Sequence, residues 1–336
     1  MFTNSVAHDA HTEINRKAIK LSESFSLFHG GAIRHGELAY TLYGEASKPC
    51  LLVLGGISSG RDVAHCTNEF ASGWWSQHIG PQQTIDSTQY CVLGIDYLGG
   101  NGQSSAPVSS QRPDHSAIST LDQAKAIDEL LTHLKIETLA AVIGSSYGGM
   151  VALSLAHRYP QRVNKALIIS AAHTNCPQST SLRHIQRSIV KLGLDNQQAA
   201  EGLALARSLA MITYRSREEF VQRFSHPSFI DQAGFQTPAL HYLSARGQNF
   251  AKHFDANAFC RLSESIDLHQ TPLGDLKTPI TCVGVNSDQL IPIAQIAELA
   301  QHAHTALITI DSLYGHDAFL KENEQVGWIL KRFLRG

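Results

Sequence analysis

The sequence lacks the features that mark several protein classes. It has no window of about 18 consecutive apolar residues, and its N-terminus shows no basic start followed by an apolar stretch, so neither a membrane span nor a secretory signal is predicted. Lysine and arginine (27) nearly balance aspartate and glutamate (29), and no long basic run occurs. We therefore predict a cytoplasmic protein with no nucleic-acid or membrane partner.

Signatures of metal and cofactor sites are also missing. The six cysteines, at positions 50, 66, 91, 176, 260 and 282, include no Cys-x-x-Cys pair, and no His-Glu-x-x-His motif occurs. The Gly-rich stretch at 99–102 does not match the dinucleotide-binding fingerprint, and no Walker motif is present. We predict reduced thiols, no metal and no bound cofactor.

The chain is rich in apolar residues, and these follow the spacing of strands and helices. Hydrophobic residues make up 43% of 336 residues and charged residues 17%, which excludes a disordered chain and allows a large core. Short apolar runs alternate with helical spacing over 118–134 and 150–157, which predicts a mostly parallel sheet flanked by helices. The predicted strands cover 37–43, 50–54, 90–95, 139–143, 166–170, 280–285 and 306–310.

The alternation of strands and helices is interrupted once. Residues 172–273 are rich in Gln, Arg and His and have mostly helical spacing, which predicts a helical lid inserted over the sheet. The core would then comprise residues 26–171 and 274–336. Residues 1–25 are mostly polar without a clear period and are interpreted as a loose arm.

The strongest functional motif surrounds Ser146. It has the form Gly-x-Ser-x-Gly, with Gly144 and Gly148 two positions to either side, and it follows an apolar strand and opens a helix. That context is typical of the nucleophile elbow of α/β-hydrolase folds, in which a tight turn lifts the serine hydroxyl above the sheet. A Gly-Ser turn without chemical meaning is the alternative.

A serine hydroxyl needs a base, and in this architecture the partners follow in the order acid, then histidine. Asp288 lies in the turn after the predicted strand 280–285, and His316 lies on a Gly-preceded loop after the last strand. We predict His316 as general base and Asp288 as the carboxylate that orients it. The predicted oxyanion donors are the backbone N–H groups of Tyr147 and of Ile57, in the loop after strand 50–54.

The sequence resembles a known family, the α/β-hydrolase-fold homoserine O-acyltransferases (O-acetyl- and O-succinyltransferases) of methionine biosynthesis. The similarity runs from about residue 30 to the C-terminus. Two motifs, Gly-Trp-Trp at 73–75 and Gly-His-Asp-Ala-Phe-Leu at 315–320, indicate this family far more specifically than the Gly-x-Ser-x-Gly motif alone. Other matching segments are 79–81, 85–86, 90–102, 139–153, 212–216, 254–257 and 287–292.

The resemblance implies a reaction and two further binding residues. Ser146 would take an acyl group from acyl-CoA, which is a co-substrate and not a bound cofactor, and pass it to the hydroxyl of homoserine in a ping-pong reaction. Arg215 would bind the substrate carboxylate and Asp317 the substrate ammonium. Without the resemblance, Arg215 is one of several arginines in its segment and Asp317 could be a helix N-cap. A homodimer is also implied.

The chain departs from the usual pattern of this family near the acyl pocket. Ser145 and Tyr147 stand where the family usually has Gly and Met, the loop 55–61 differs, and the segment after position 102 is shorter. Arg61, at the end of that loop, could pair with the free carboxylate of a succinyl group or be a surface arginine. On this basis succinyl-CoA is slightly favoured over acetyl-CoA, and serine stays open as an acceptor.

Two other functions use the same residues differently. An ester hydrolase would use the same triad with water as acceptor. A binding module on an inactive hydrolase scaffold is a third alternative, although such a scaffold would have no need of all three triad residues.

Overall fold

An eight-stranded sheet organises the computed structural model, which describes residues 14–65, 73–107, 117–232, 234–274 and 276–336. Three two-stranded sheets accompany it. In chain order the strands are β1 (Ile14–Lys20), β2 (Ser24–Ser26), β3 (Ala32–Arg34), β4 (Glu37–Tyr43), β5 (Cys50–Leu54), β6 (Ile79–Gly80), β7 (Ile85–Asp86), β8 (Cys91–Ile95), β9 (Ala141–Ser145), β10 (Ala166–Ile169), β11 (Phe229–Asp231), β12 (Gly234–Gln236), β13 (Ile280–Val285) and β14 (Leu307–Ile310).

Within the described residues the helices fall into three groups: two between β8 and β10, five between β10 and β13, and three towards the C-terminus. Short 3₁₀ turns add Pro160–Arg162 and Gly315–Asp317. The helices are α1 (Thr120–His133), α2 (Tyr147–Arg158), α3 (Pro177–Asp195), α4 (Ala199–Tyr214), α5 (Arg217–Arg223), α6 (Pro238–Ala251), α7 (Ala256–Asp267), α8 (Ile293–His302), α9 (Ala318–Lys321) and α10 (Asn323–Arg335).

The order of strands across the large sheet is β1-β4-β8-β5-β9-β10-β13-β14. β4 runs antiparallel to both of its neighbours, and the remaining neighbours from β8 to β14 pair in parallel. The predicted class, a mostly parallel sheet flanked by helices, is confirmed. The carboxyl ends of β5, β9, β13 and β14 therefore point to the same edge of the sheet, where ligands bind in open α/β sheets.

Each central strand is buried on both faces, because helices cover both sides of the sheet. In β5, Leu52 and Leu54 pack into the cluster that includes α1, α2 and α8, whereas Leu51 and Val53 pack into the cluster beneath α10. This double burial explains why the strands appear in the sequence as continuous apolar runs.

The segment between β10 and β13 contains the five helices α3–α7. It also holds the hairpin β11–β12, which the sequence pattern did not indicate. Helices α3, α4 and α7 form a small apolar cluster of their own around Phe259, and Ile57 from the loop after β5 packs against it. The helical segment therefore rests directly on a loop of the sheet.

The prediction of a loose arm was wrong for residues 14–25. Strand β1 pairs along its whole length with β4, from Ile14 opposite Tyr43 to Lys20 opposite Glu37. It is an edge strand in which Ile19 alone is fully buried, so it could remain polar and gave no apolar period. Residues 1–13 and Cys66 lie outside the described residues. The five described cysteines form no disulfide.

No helix within the described ranges is both long and apolar enough to cross a membrane.

Candidate active site

Ser146 lies in a strained turn between β9 and α2. Its φ of 54° and ψ of −125° are unusual for a residue with a side chain. A side chain at Gly144 would collide with the backbone of Gly148, and one at Gly148 with the backbone of Leu54. Both positions therefore require glycine, and the turn presents the Ser146 hydroxyl above the sheet, as the motif predicted.

The structure brings the three predicted triad side chains together. Oγ of Ser146 lies 2.7 Å from Nε2 of His316, and Nδ1 of His316 lies 2.7 Å from Oδ2 of Asp288. The other carboxylate oxygen of Asp288 accepts hydrogen bonds from the N–H groups of Leu290 (2.8 Å) and Ile291 (3.1 Å). These bonds fix the carboxylate, which in turn holds the imidazole with Nε2 facing the serine.

Neighbouring charges set the basicity of His316. Its burial lowers the pKa, but the charge and hydrogen bond of Asp288 and the charge of Asp317 outweigh burial, so the pKa of His316 is raised above its ordinary value. The charge of Arg183 acts in the opposite direction. The result is an imidazole that accepts a proton more readily than a free histidine.

The two predicted oxyanion donors belong to separate segments of the chain. Tyr147 is the first residue of α2, and Ile57 lies in the turn after β5. The N–H of Gly148 donates to the carbonyl of Gly55 (2.9 Å), which joins the two loops. Within the described residues, neither the Tyr147 nor the Ile57 N–H donates to a protein acceptor. Both remain available for a ligand oxygen.

The tyrosine side chain at position 147 points away from the nucleophile into the core. Its hydroxyl lies 2.7 Å from Oγ of Ser265 and accepts from Nε2 of Gln123 (3.3 Å), and its ring packs edge-on against Tyr97 (4.8 Å). The Tyr97 hydroxyl donates to the carbonyl of Gly55 (2.8 Å). Through Tyr97, Tyr147 therefore supports the loop after β5, which carries the predicted donor Ile57.

A cleft of about 980 Å³, including its open mouth, lies over Ser146. Loops of the sheet form one wall, with Ile57, His316 and Asp317. Helices α3, α4 and α7 form the other, with Arg183, Arg207, Tyr214, Phe259 and Ser263 among its residues. The helical segment thus completes the cleft in which a substrate would meet Ser146.

Arg215 and Asp317, the residues implied to bind the acceptor, are close together. Nη2 of Arg215 lies 3.2 Å from Oδ2 of Asp317, and Nη1 lies 3.6 Å from Oε2 of Glu219. Asp317 lines the cleft, whereas Arg215 lies behind it and is buried. Nε of Arg215 is buried without a hydrogen-bond partner in the described part of the chain.

The guanidinium of Arg61 is held by two side chains that do not line the cleft. Its Nε lies 3.7 Å from Oδ2 of Asp96, its Nη2 donates to Oε1 of Gln103 (2.8 Å), and its backbone N–H donates to Oδ1 of Asp96 (2.9 Å). It is absent from the lining of the cleft. The expectation that Arg61 reaches the acyl group is therefore not supported, because Asp96 and Gln103 hold its guanidinium elsewhere.

Sequence reasoning missed the arginines that do line the cleft. Arg183 and Arg207 come from α3 and α4, and no local motif set them apart from the other arginines of the segment.

Within the described ranges, no three side chains of the kinds that ligate metals cluster together.

Comparison with known proteins gives a consistent result. The family profile described as alpha/beta hydrolase fold matches residues 49–323. The homoserine O-succinyltransferase of Xanthomonas campestris pv. campestris is 36% identical over 91% of this chain and 81% of its own length. The homoserine O-acetyltransferase of Moorella thermoacetica is 30% identical over 94% of each chain. The serine O-succinyltransferase of Xylella fastidiosa strain M12 is 29% identical over 94% of this chain and 96% of its own.

Solved structures share the architecture. Homoserine O-acetyltransferase from Bacillus anthracis superposes with a TM-score of 0.85 at 19% identity, over 96% of this chain and 98% of that one. Esterase E22 gives the same TM-score at 21% identity, over 96% of this chain and all of that one. At these identities the likeness establishes the fold, and proteins named for transfer and for hydrolysis share it.

Proposed function

This chain belongs to the homoserine O-acyltransferase family of the α/β-hydrolase fold and is an acyltransferase, and we propose that it moves a succinyl group from succinyl-CoA to the hydroxyl of L-homoserine through an acyl-enzyme on Ser146. The observation that carries this proposal is the hydrogen-bonded chain from Ser146 through His316 to Asp288 beneath a cleft between the sheet loops and the helical segment. The acyl-CoA is a co-substrate that enters and leaves in each turnover.

In the first half-reaction, Oγ of Ser146 attacks the thioester carbonyl carbon while Nε2 of His316 accepts the hydroxyl proton. The carbonyl oxygen becomes an oxyanion, which the N–H groups of Ile57 and Tyr147 stabilise. The carbon–sulfur bond then breaks, and the proton passes from His316 to the departing CoA thiolate. The products are free CoA and Ser146 carrying the acyl ester.

In the second half-reaction, homoserine takes the place of CoA. Nε2 of His316 accepts the proton of the homoserine hydroxyl, whose oxygen attacks the acyl carbon. The bond to Oγ of Ser146 breaks, and His316 returns the proton to the serine. Because one product leaves before the second substrate reacts, ping-pong kinetics are expected.

The pair of Arg215 and Asp317 supports an α-amino acid as acceptor. Such an acceptor carries an ammonium and a carboxylate on one carbon atom. Asp317, which lines the cleft, would bind the ammonium, and Arg215, 3.2 Å from Asp317 but outside the lining, would bind the carboxylate. Homoserine and serine share this head group and differ by one methylene. We propose homoserine because the succinyltransferase named for it is 36% identical, whereas the serine enzyme is 29% identical.

Relatives named as succinyltransferases support succinyl-CoA as donor, and acetyl-CoA is the alternative. We further propose, from the family resemblance, a place in cytoplasmic methionine biosynthesis and assembly as a homodimer.

Hydrolysis is the competing function, since esterase E22 has the same fold. The test measures release of the CoA thiol from succinyl-CoA and from acetyl-CoA, with and without homoserine, by a thiol reagent. Transfer predicts a rate that rises with homoserine and saturates, together with O-acyl-homoserine in the product. An equal rate without an amino-acid acceptor would establish hydrolysis. No release of CoA from either donor, with or without homoserine, would point to a binding module.

A further inference from the structure

Two arginines share one aspartate in the wall of the catalytic cleft. Nε of Arg183 lies 2.6 Å from Oδ1 of Asp267, and Nη1 of Arg187 lies 2.7 Å from Oδ2 of the same carboxylate. Arg183 is only 8% exposed. One carboxylate neutralises one guanidinium, so this cluster keeps one positive charge that no carboxylate in the described residues neutralises. Burying a charge without a partner is costly, which makes the cluster a natural site for an anion.

One N–H donor group of the cluster has no acceptor in the described part of the chain. Nη2 of Arg183 donates to Oδ1 of Asn175 (3.0 Å) and to Oγ1 of Thr180 (3.3 Å), and Nε is held by Asp267. Nη1 of Arg183 has no acceptor among the residues that the structure describes. Arg183 and Ser263, whose hydroxyl accepts from Nη1 of Arg187 (2.8 Å), both line the cleft over Ser146.

Arg183 lies in the same cleft as the reacting atoms. It lines that cleft together with Ser146 and His316, and its positive charge opposes the rise of the pKa of His316. A succinyl group on Ser146 would carry its second carboxylate on a short, two-methylene arm. That carboxylate can therefore meet only a cation that lies near the triad.

We propose that Arg183 determines donor specificity by binding the distal carboxylate of a succinyl group through its free Nη1, with Arg187 and Asp267 holding it in place. This inference rests on the proposed acyltransferase function and adds the residue that distinguishes a dicarboxylic acyl donor from a neutral one. Acetyl-CoA lacks the distal carboxylate and gains nothing from Arg183.

The other arginines suit this role less well. Arg215 has Asp317 beside it, which fits a zwitterion better than a lone carboxylate. Arg207 lines the cleft without a carboxylate partner in the described residues, but it is only half-buried and stacks on the rings of Tyr214 (4.9 Å) and Phe250 (4.6 Å). It serves as the matched control, because it is a second arginine in the same wall.

The first experiment uses the unaltered protein and changes the donor. Single-turnover release of CoA, without homoserine, is compared for succinyl-CoA and for its methyl ester, in which the distal carboxylate is uncharged. Loss of a charge-assisted hydrogen bond predicts a drop of about tenfold to hundredfold in kcat/KM for the ester. Equal values for the two donors would overturn the proposal without depending on any variant.

The second experiment compares Arg183→Gln with Arg207→Gln. Arg183→Gln leaves Arg187 and Asp267 as a balanced pair, and thermal unfolding checks that it is folded. The preference for succinyl-CoA over its methyl ester and over acetyl-CoA is expected to disappear in Arg183→Gln. It should survive in Arg207→Gln, where any loss falls equally on all donors. The opposite pattern would assign the carboxylate to Arg207, and an equal fall for all donors in Arg183→Gln would show a merely structural role.

The outcomes separate this inference from the function on which it rests. If the unaltered protein releases CoA from no acyl-CoA, the proposed function fails. If it uses acetyl-CoA at least as well as succinyl-CoA and transfers the acetyl group to homoserine, acyl transfer stands and the role of Arg183 is overturned.

Discussion

Oδ2 of Asp317 lies 3.2 Å from Nη2 of Arg215. Asp317 directly follows His316, and Arg215 directly follows helix α4, so this ion pair ties the loop of the proposed base to the helical segment above it. An amino acid bound at the pair would have its head group beside the imidazole. The pair therefore connects recognition of the acceptor with the step in which the acceptor hydroxyl loses its proton.

Replacing Arg215 should impair the second half-reaction selectively. Arg215→Lys keeps the charge but removes the planar, forked guanidinium. We expect KM for homoserine to rise by about tenfold or more, given the worth of a charged hydrogen bond, while CoA release in the absence of homoserine changes by less than about twofold. Steady-state and single-turnover kinetics measure both. Arg217→Lys, two positions along and exposed, is the control. A variant that fails mainly in CoA release would refute this role.

Asp288→Asn should inactivate a folded protein. The two backbone N–H groups that bind Asp288 favour the amide oxygen on that side, which turns the amide NH₂ towards Nδ1 of His316. The imidazole then takes the wrong tautomer and cannot accept the proton of Ser146. We expect kcat to fall by about 10³–10⁴. Asp311→Asn, on an exposed loop after β14, should keep full activity. A fall of less than tenfold in Asp288→Asn would contradict the assignment.

The charges around His316 should shift the pH dependence of activity. The base must be neutral to work, so activity falls as pH drops through its pKa. Asp317 raises this pKa and Arg183 lowers it. The acid limb of CoA release from acetyl-CoA should therefore move to lower pH in Asp317→Asn and to higher pH in Arg183→Gln. Acetyl-CoA is used because it has no distal carboxylate. Shifts in the reverse directions would exclude His316 as the titrating base.

Tyr147→Phe should lower stability. The Tyr147 hydroxyl is buried and bonded to Ser265 and Gln123, so its removal leaves two polar groups without that partner. We expect the free energy of unfolding, measured by urea denaturation, to fall by about 1–2 kcal/mol. Tyr159→Phe is the matched control, because the Tyr159 hydroxyl makes no hydrogen bond within the described residues. Equal stability of the two variants would show that the Tyr147 bonds contribute nothing.

The sequence was most informative where structure is local. The turn around Ser146 could be predicted because a doubly buried strand must be apolar and a tight turn needs glycine on either side. The positions of Asp288 and His316 followed because parallel strands bring their carboxyl ends to one edge of the sheet. The family motif around Gly-His-Asp then added Asp317.

Contacts between helices that are far apart in the sequence produce no local sequence pattern. Arg183 and Asp267 are 84 residues apart, and their pairing depends on how α3 and α7 pack. The two interpretations of Arg61 could not be separated from the sequence, because its partner Asp96 comes from the loop after a different strand. Strand β1 was missed because an edge strand can be polar, so no apolar period shows it.

Mass spectrometry of the intact protein after mixing with succinyl-CoA, without homoserine, tests the central claim most directly. The account predicts one succinyl adduct per chain that maps to Ser146, is absent in Ser146→Ala and disappears when homoserine is added. Release of CoA with no adduct at any time, or an adduct that persists in Ser146→Ala, would contradict it.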